Sequence, residues 1–377
     1  MQGPSDRQRA HDSETLLPKA RAAAAAAGVT RLADITRLDR LGLPVWQAVR
    51  PMSRALSVHQ GKGARDCDAQ LGALLEAVES HWAEQFDVPG PVCGFRSLAP
   101  DERPPTIADF AAHRHKPPAE QEDQRWVEAR NLLTGGRLHL PFETVSMDFT
   151  RNVPSRFDRA SNGVATGATR DEALVAALHE LIERDGGVEW EAQGLIERTA
   201  SQLRPETVAF PWFHHWSERL REAGVTMRCY ALPSITGSPL LLCELRDAGK
   251  DAAPYRAMAG RACHPDPELA LFQALTEAIQ GRVTYIAGAR EDIAPFYGAS
   301  PEGATVPFGL PLPASMKGIA FEEIPEGPRT VPALCEALAA AGFPNIAAIT
   351  LAELDGLTVV RTFVYGLGSM TRRRRHA

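Results

Sequence analysis

The sequence contains no apolar run close to the roughly 20 residues that span a bilayer. Its N-terminal stretch mixes acids with bases around no apolar signal core. Neither a membrane protein nor a secreted one is expected, and the expected location is the cytoplasm. Cysteine is scarce and scattered: Cys67, Cys93, Cys229, Cys243, Cys263 and Cys335 form no C-x-x-C pair. That spacing gives no zinc motif and fits reduced thiols. Positive charge is not in excess either. A net charge of −6 over 377 residues argues against a dedicated nucleic-acid binder. The one basic run, Arg372 to Arg375, reads as a solvated tail. A Walker P-loop is also missing. Gly61-Lys62-Gly63 is a lone G-K-G without the four-residue spacing or the Ser or Thr that a P-loop needs.

What is present is an ordinary globular composition with mixed helix and strand patterns, which predicts an α/β (α+β) protein. Residues 1–27 read as a polar then alanine-rich segment, with a short helix over Ala20–Ala27 that Gly28 stops. Residues 28–368 read as the main domain and 369–377 as the basic tail. Helical periodicity is predicted from Asp66 to Phe86, after Ser161, from Trp212 to Ala223, from Leu269 to Ala287 and from Val331 to Ala341. Trp126 to Phe142, broken by Thr134-Gly135-Gly136, predicts a β-hairpin. Further strands are expected at 45–49, 226–232, 240–245, 346–350 and 358–364, a strand or turn at 256–263, a proline- and charge-rich excursion with one short helix at 87–125, and a Pro/Gly-rich loop at 293–330.

One stretch stands out, from Ser161 to Asp185. It opens as a small-residue turn, Ser161-Asn162-Gly163 through Gly167, and continues as a helix bearing Glu172, Glu180, Glu183 and Arg184 among alanines and leucines. Glu172 and Glu183 fall within about 20° of each other on a helical wheel, with Glu180 three residues before Glu183. Two other helices repeat the device: Glu76 and Glu79 on one, and Gln273, Glu277 and Gln280 sharing a face of the other. Like charges crowded on apolar helices mark either a solvated face or a cation site. Carboxylate oxygens suit Mg²⁺, which commonly also carries phosphate, and Lys62, Arg184 and Arg282 are available for phosphate oxygens. The physical reading is a magnesium–nucleotide pocket without a Walker sequence.

Ser161-Asn162-Gly163, Gly167, Thr169-Arg170, Glu172-Ala173 and Glu180-x-x-Glu183-Arg184-Asp185 strongly resemble the YcaO family. So do Leu56-Ser57-x-x-Gln60-Gly61-Lys62-Gly63 leading into the Glu76/Glu79 helix, and Arg282 followed by Gly288-Ala-Arg-Glu-Asp292. The resemblance runs from about Gly28 to Leu367. It implies a mixed fold of antiparallel sheets and helices that binds ATP and Mg²⁺ and phosphorylates a peptide backbone amide on its carbonyl oxygen. A nucleophile then displaces the phosphate: sulfide gives a thioamide, whereas a neighbouring Cys, Ser or Thr gives an azoline. Carried over by residue, Glu76, Glu79, Glu172, Glu180 and Glu183 would be metal ligands, with Glu180, Glu183 and Arg184 at the catalytic centre. Lys62, Ser161, Asn162, Glu172, Arg184, Gln280, Arg282 and Arg290 would line the nucleotide site.

Departures from the family pattern are Gly72 and Ser80 on the first acidic helix, where Ser and Arg are common, and Ala165 and Ala168 in the turn, where some members have Ser and Asn. They are the only support for a catalytically idle scaffold that binds a peptide or partner. The Pro-x-Pro-x-Pro tail of azoline-forming members is absent here. Thr30-Arg31, Asp34-Ile-Thr36, Leu38-Asp39 and Gly42-Leu-Pro44 look more like members paired with a TfuA-type protein, which are associated with thioamides. The resemblance therefore implies a peptide or protein substrate, a TfuA-like partner and a homodimer.

Overall fold

The computed structural model describes residues 3–4, 11–110, 117–151, 156–247, 257–292 and 309–367. Three antiparallel sheets organise the chain. The first runs β1 (Arg31–Asp34), β2 (Val45–Val49), β3 (Val58–Lys62). The second runs β10 (Ala257–Cys263), β9 (Leu240–Asp247), β8 (Val225–Ala231). The third runs β4 (Val92–Cys93), β5 (Gln124–Asn131), β11 (Ile346–Leu354), β12 (Leu357–Val364), β7 (Val164–Gly167), with β6 (Arg137–Pro141) hairpinned to β5. The helices are α1 (Ser13–Ala26), α2 (Asp66–Gln85), α3 (Phe142–Val145), α4 (Arg170–Glu191), α5 (Leu195–Ala200), α6 (Pro211–Glu222), α7 (Pro267–Ala287) and α8 (Val331–Ala340). Among the described residues no helix is long and apolar enough to cross a membrane.

The three acidic helices start and stop where local chemistry dictates. Thr169 caps α4 by accepting the Glu172 N–H at 3.2 Å. Asp266 caps α7 by accepting the Glu268 N–H, Pro267 fills its first position, and Gly288 ends it in the left-handed conformation. Each helix buries an apolar stripe against a sheet. Leu71, Leu74 and Val78 of α2 pack with Leu16, Ala20 and Ala24 of α1, while Leu271 and Leu275 of α7 pack with Leu241 and Leu245 of β9 and Trp212 and Trp216 of α6. Full burial of each such leucine contributes about 2 kcal/mol.

The helices close a ring around the sheet edges. α2 lies on β3 and reaches β7; α4 lies on β7 and reaches β10; α7 lies on β10 and reaches β3. All three strands are sheet edges. Close approach depends on glycine. A Cβ on Gly61 would stand 2.0 Å from the Ala69 carbonyl oxygen of α2, and one on Gly260 would stand 2.3 Å from the Ala274 oxygen of α7. Gly72 of α2 sits over Gly61, so α2 has no side chain holding it away from β3.

Some elements differ from the sequence expectation. The small-residue turn at 161–167 contains a strand, β7, whose four short residues carry no alternating apolar signal. The N-terminal helix begins at Ser13 rather than Ala20 and packs on α2. The 87–125 excursion contributes β4 to the large sheet. Residues 293–308 of the expected loop and the tail at 369–377 lie outside the described residues.

Candidate active site

The acids collect where β3 and β7 offer backbone N–H groups to no other strand. The Gln60 N–H donates to Glu76 Oε2 at 2.8 Å and the Thr166 N–H to Glu79 Oε1 at 2.7 Å. The Gly163 N–H donates to Glu180 Oε2 at 3.0 Å, and the Ala168 N–H to Glu172 Oε2 at 3.2 Å. Edge strands normally need such groups covered, and bonds to an ionised acceptor are the stronger kind. Each bond also fixes one oxygen of a glutamate. Gly163 is essential to this geometry: its φ is +80° and a Cβ would lie 2.4 Å from the Thr362 oxygen.

Cations meet the remaining oxygens. Arg184 places Nη2 3.4 Å from Glu180 Oε1 and Nη1 3.3 Å from Glu183 Oε1. The second contact is an ion pair but not an aligned hydrogen bond, so Glu183 Oε1 is buried without a hydrogen-bond partner among the described residues. Lys62 reaches from β3 to Glu277 Oε2 of α7 at 3.5 Å. A cavity of about 680 Å³ opens beside this group, lined by Thr166, Ala168, Glu172, Glu180, Glu183 and Gln273. His179, Cys263 and His264 form part of its wall.

Burial raises the proton affinity of Glu76, Glu79 and Glu180, and the Glu79 carboxyl rises well above its usual value because Glu76 and Glu180 add to the effect. Burial, then Glu277, push Glu183 up to about 8. For Arg184 burial works the other way, yet Glu183, Glu180 and Glu277 together hold it above its ordinary value. The acids of α2, α4 and α7 thus share one electrostatic field.

A pH dependence follows. Glu183 binds its proton more tightly folded than unfolded, so the metal-free fold is penalised above its folded value. That penalty shrinks as pH falls from about 8 and vanishes below the unfolded value near 4.3. Glu76, Glu79 and Glu180 act in the same direction. Thermal unfolding of the metal-free chain should therefore occur several degrees higher at about pH 6 than at about pH 8.5. Mg²⁺ with a non-hydrolysable nucleotide should stabilise more at the higher pH. Equal melting temperatures at both pH values would remove the electrostatic account.

The residues expected from the sequence fall in three groups. Glu76, Glu79, Glu172, Glu180, Glu183, Arg184 and Lys62 come together as described. Ser161 and Asn162 form the turn leading into β7, Ser161 exposed and Asn162 half-buried. Gln280 lies with Gln273 and Glu277 on the half-buried face of α7, and Arg290, paired with Asp292 at 2.6 Å, is near enough for Glu76 to act on its charge. Arg282 goes elsewhere: its Nε bonds Asp39 at 2.9 Å and its Nη1 bonds Asp247 at 2.8 Å in a buried cluster. Both carboxylates are distant in sequence, so no local pattern could reveal that Arg282 was already taken. Glu277 belongs to the acidic group although the family pattern carried over from the sequence did not include it; its shared face with Gln273 was the available signal. Of the departures, Ala165 is buried against α4, Ala168 lines the cavity, and Gly72 serves the close packing of α2 on β3.

Three acid-bearing helices ringed over open sheet edges define an α+β protein with an acidic pocket and no P-loop. A family model described as YcaO cyclodehydratase, ATP- and Mg²⁺-binding, matches residues 60–368, and the chain belongs to this family. An uncharacterized protein in the tfuA 3′ region of Rhizobium leguminosarum bv. trifolii is 30% identical over 272 residues. The match covers 71% of this chain and 65% of the relative, so the chain spans less than two thirds of that relative's length. A solved heterocyclase in complex with substrate and cofactor has a TM-score of 0.76 at 20% identity, covering 97% of this chain and 53% of its own. YcaO from Methanopyrus kandleri, bound with AMPPCP and Mg²⁺, has a TM-score of 0.68 at 21% identity, covering 95% and 92%. The mixed fold of antiparallel sheets and helices expected from the sequence is the fold these structures have.

The pocket fits a magnesium ion in chemistry. Its anionic groups are all carboxylates, the preference of a hard cation, and among the described residues the buried Glu183 Oε1 has no hydrogen-bond partner. No three described His, Cys, Asp or Glu side chains are already drawn round one point that could hold a metal. Four of these carboxylates are instead held to separate backbone N–H groups.

Proposed function

We propose that this chain uses ATP to activate a backbone amide of a peptide or protein, with thioamide formation as the outcome. The carrying observation is the set of mostly half-buried glutamates from α2, α4 and α7 that share one electrostatic field beside a cavity lined by Glu172, Glu180 and Glu183. Glu76, Glu79, Glu172, Glu180 and Glu183, joined by Glu277, would hold Mg²⁺. Lys62, Arg184 and Arg290 would donate hydrogen bonds to the phosphate oxygens, Ser161 and Asn162 shape the nucleotide turn, and Gln280 stands at its border. When bound, the ion neutralises phosphate oxygens and so eases phosphoryl transfer. Arg184 spans Glu180 and Glu183 and offers its planar fork to the same oxygens. The amide oxygen takes the γ-phosphoryl group and ADP leaves; hydrosulfide adds to the amide carbon and phosphate departs with the original oxygen.

Two observations favour sulfide over a side-chain nucleophile: the relative that lies in a tfuA region, and the N-terminal pattern from Thr30 to Pro44. A TfuA-like protein is accordingly the proposed partner. Azoline formation is the second reading, favoured by the family's description as a cyclodehydratase. The test is incubation of the chain with ATP, Mg²⁺, sulfide, a candidate peptide encoded beside it and the neighbouring TfuA-like protein. Phosphate release that depends on peptide, with a product mass reflecting sulfur in place of oxygen, is expected. Loss of one water would select the azoline reading, and no peptide-dependent release with any encoded neighbour would end the enzyme reading.

A further inference from the structure

Arg361 has no part in the site described so far. It lies on β12 between Ile349 of β11 and Val164 of β7, and is 1% exposed. Its Nη2 donates to the Ala160 carbonyl oxygen at 2.5 Å, while Nε and Nη1 have no hydrogen-bond partner among the described residues. The negative charges that act on it are Glu180 and Asp158. The guanidinium also lies 4.9 Å from the centre of the Phe363 ring, a contact that offsets part of its burial but gives its N–H groups no acceptor, and a buried guanidinium of this kind is disfavoured unless something nearby requires it.

Its single bond secures the residue that enters the Ser161 turn. The next residue of β12, Thr362, donates its N–H to the Gly163 oxygen at 2.8 Å. Gly163 in turn donates to Glu180 Oε2 at 3.0 Å. Adjacent residues of one central strand therefore clamp both ends of the 160–163 turn, and the turn holds the glutamate. Gly163, confined between Thr362 and the side chain of Leu181, leaves the turn no slack.

We propose that Arg361 is a positioning residue for Glu180, acting through the 160–163 turn to set the carboxylate where the metal–nucleotide site needs it. The inference rests on Glu180 belonging to that site. An arginine serving the fold alone would affect stability without a specific dependence on Glu180.

The test is Mn²⁺ binding by the full chain with AMPPCP, read by electron paramagnetic resonance, with thermal unfolding alongside. Arg361→Met should weaken Mn²⁺ binding about tenfold, and Arg361→Lys about threefold, because lysine keeps the charge but not the fork. In a Glu180→Gln background the Arg361→Met loss should shrink to less than about twofold. Arg361→Met binding Mn²⁺ as wild type does, or losing affinity equally in both backgrounds, would overturn the proposal. Should Arg361→Met not fold, the lysine variant in the two backgrounds carries the same comparison. Failure of the wild type itself to bind Mn²⁺ with AMPPCP would instead overturn the assignment of the metal site.

Discussion

Glu183→Gln should lower peptide-dependent ATP turnover by about a thousandfold, equivalent to ~4 kcal/mol of transition-state stabilisation. The same substitution should raise the melting temperature of the metal-free protein. Glutamine keeps the shape of the side chain but removes a charge that burial and Glu277 both disfavour. It also leaves Arg184 with Glu180 as a partner. Function and stability would then move in opposite directions, as expected where charges are gathered for a ligand rather than for the fold. A structural ion pair between Arg184 and Glu183 predicts the reverse, since breaking a buried pair is destabilising. Turnover assays and calorimetry on one preparation distinguish the two. Destabilisation with turnover retained would remove Glu183 from the catalytic centre.

Gly61→Ala should have the largest effect on the fold, about 3 kcal/mol or more, with Gly260→Ala close behind. The added methyl at position 61 meets the Ala69 oxygen and Ala73 nitrogen, and the one at 260 meets the Ala274 oxygen and Ala278 nitrogen. All four are helix backbone atoms, so no rotamer change relieves the contact. The helix must lift from its strand, taking Glu76 and Glu79, or Glu277, out of register with their neighbours. Denaturant unfolding should show lower midpoints, with loss of nucleotide-dependent stabilisation in whatever remains folded. A control is Gly224→Ala, where a methyl meets nothing and only the positive φ of 68° resists. Gly61→Ala no worse than that control would mean that α2 does not depend on this contact.

The acidic helices were legible because two local signals coincide in them. An apolar stripe of period 3.6 marks the buried face, and acids at three-residue steps interrupt it. The hairpin at Thr134-Gly135-Gly136 was legible from turn chemistry alone. What was illegible required partners far along the chain. β7 is a strand because Val359 and Val360 pair with it, nearly two hundred residues later. Arg282 is withdrawn from the pocket by Asp39 and Asp247, which its own helix cannot announce. Arg361 left a trace, a lone charge after Val359-Val360 in an apolar strand, but nothing in spacing connects it to a turn at 160–163. Glu277 shared a face with Gln273, yet only the fold brings that face to Lys62 and Glu183.

The sheet edges give the glutamates one more consequence. An open strand edge can join to any other extended chain, including a second copy of the same protein. Here the outward N–H groups of Gln60, Gly163 and Thr166 are occupied by side chains that a visiting strand would have to displace. The acids gathered around the pocket therefore also occupy backbone groups that a second strand would need. Variants stripped of Glu79 and Glu180 together would leave the N–H groups of Thr166 and Gly163 without their acceptors, and their solubility would report on a role unrelated to catalysis.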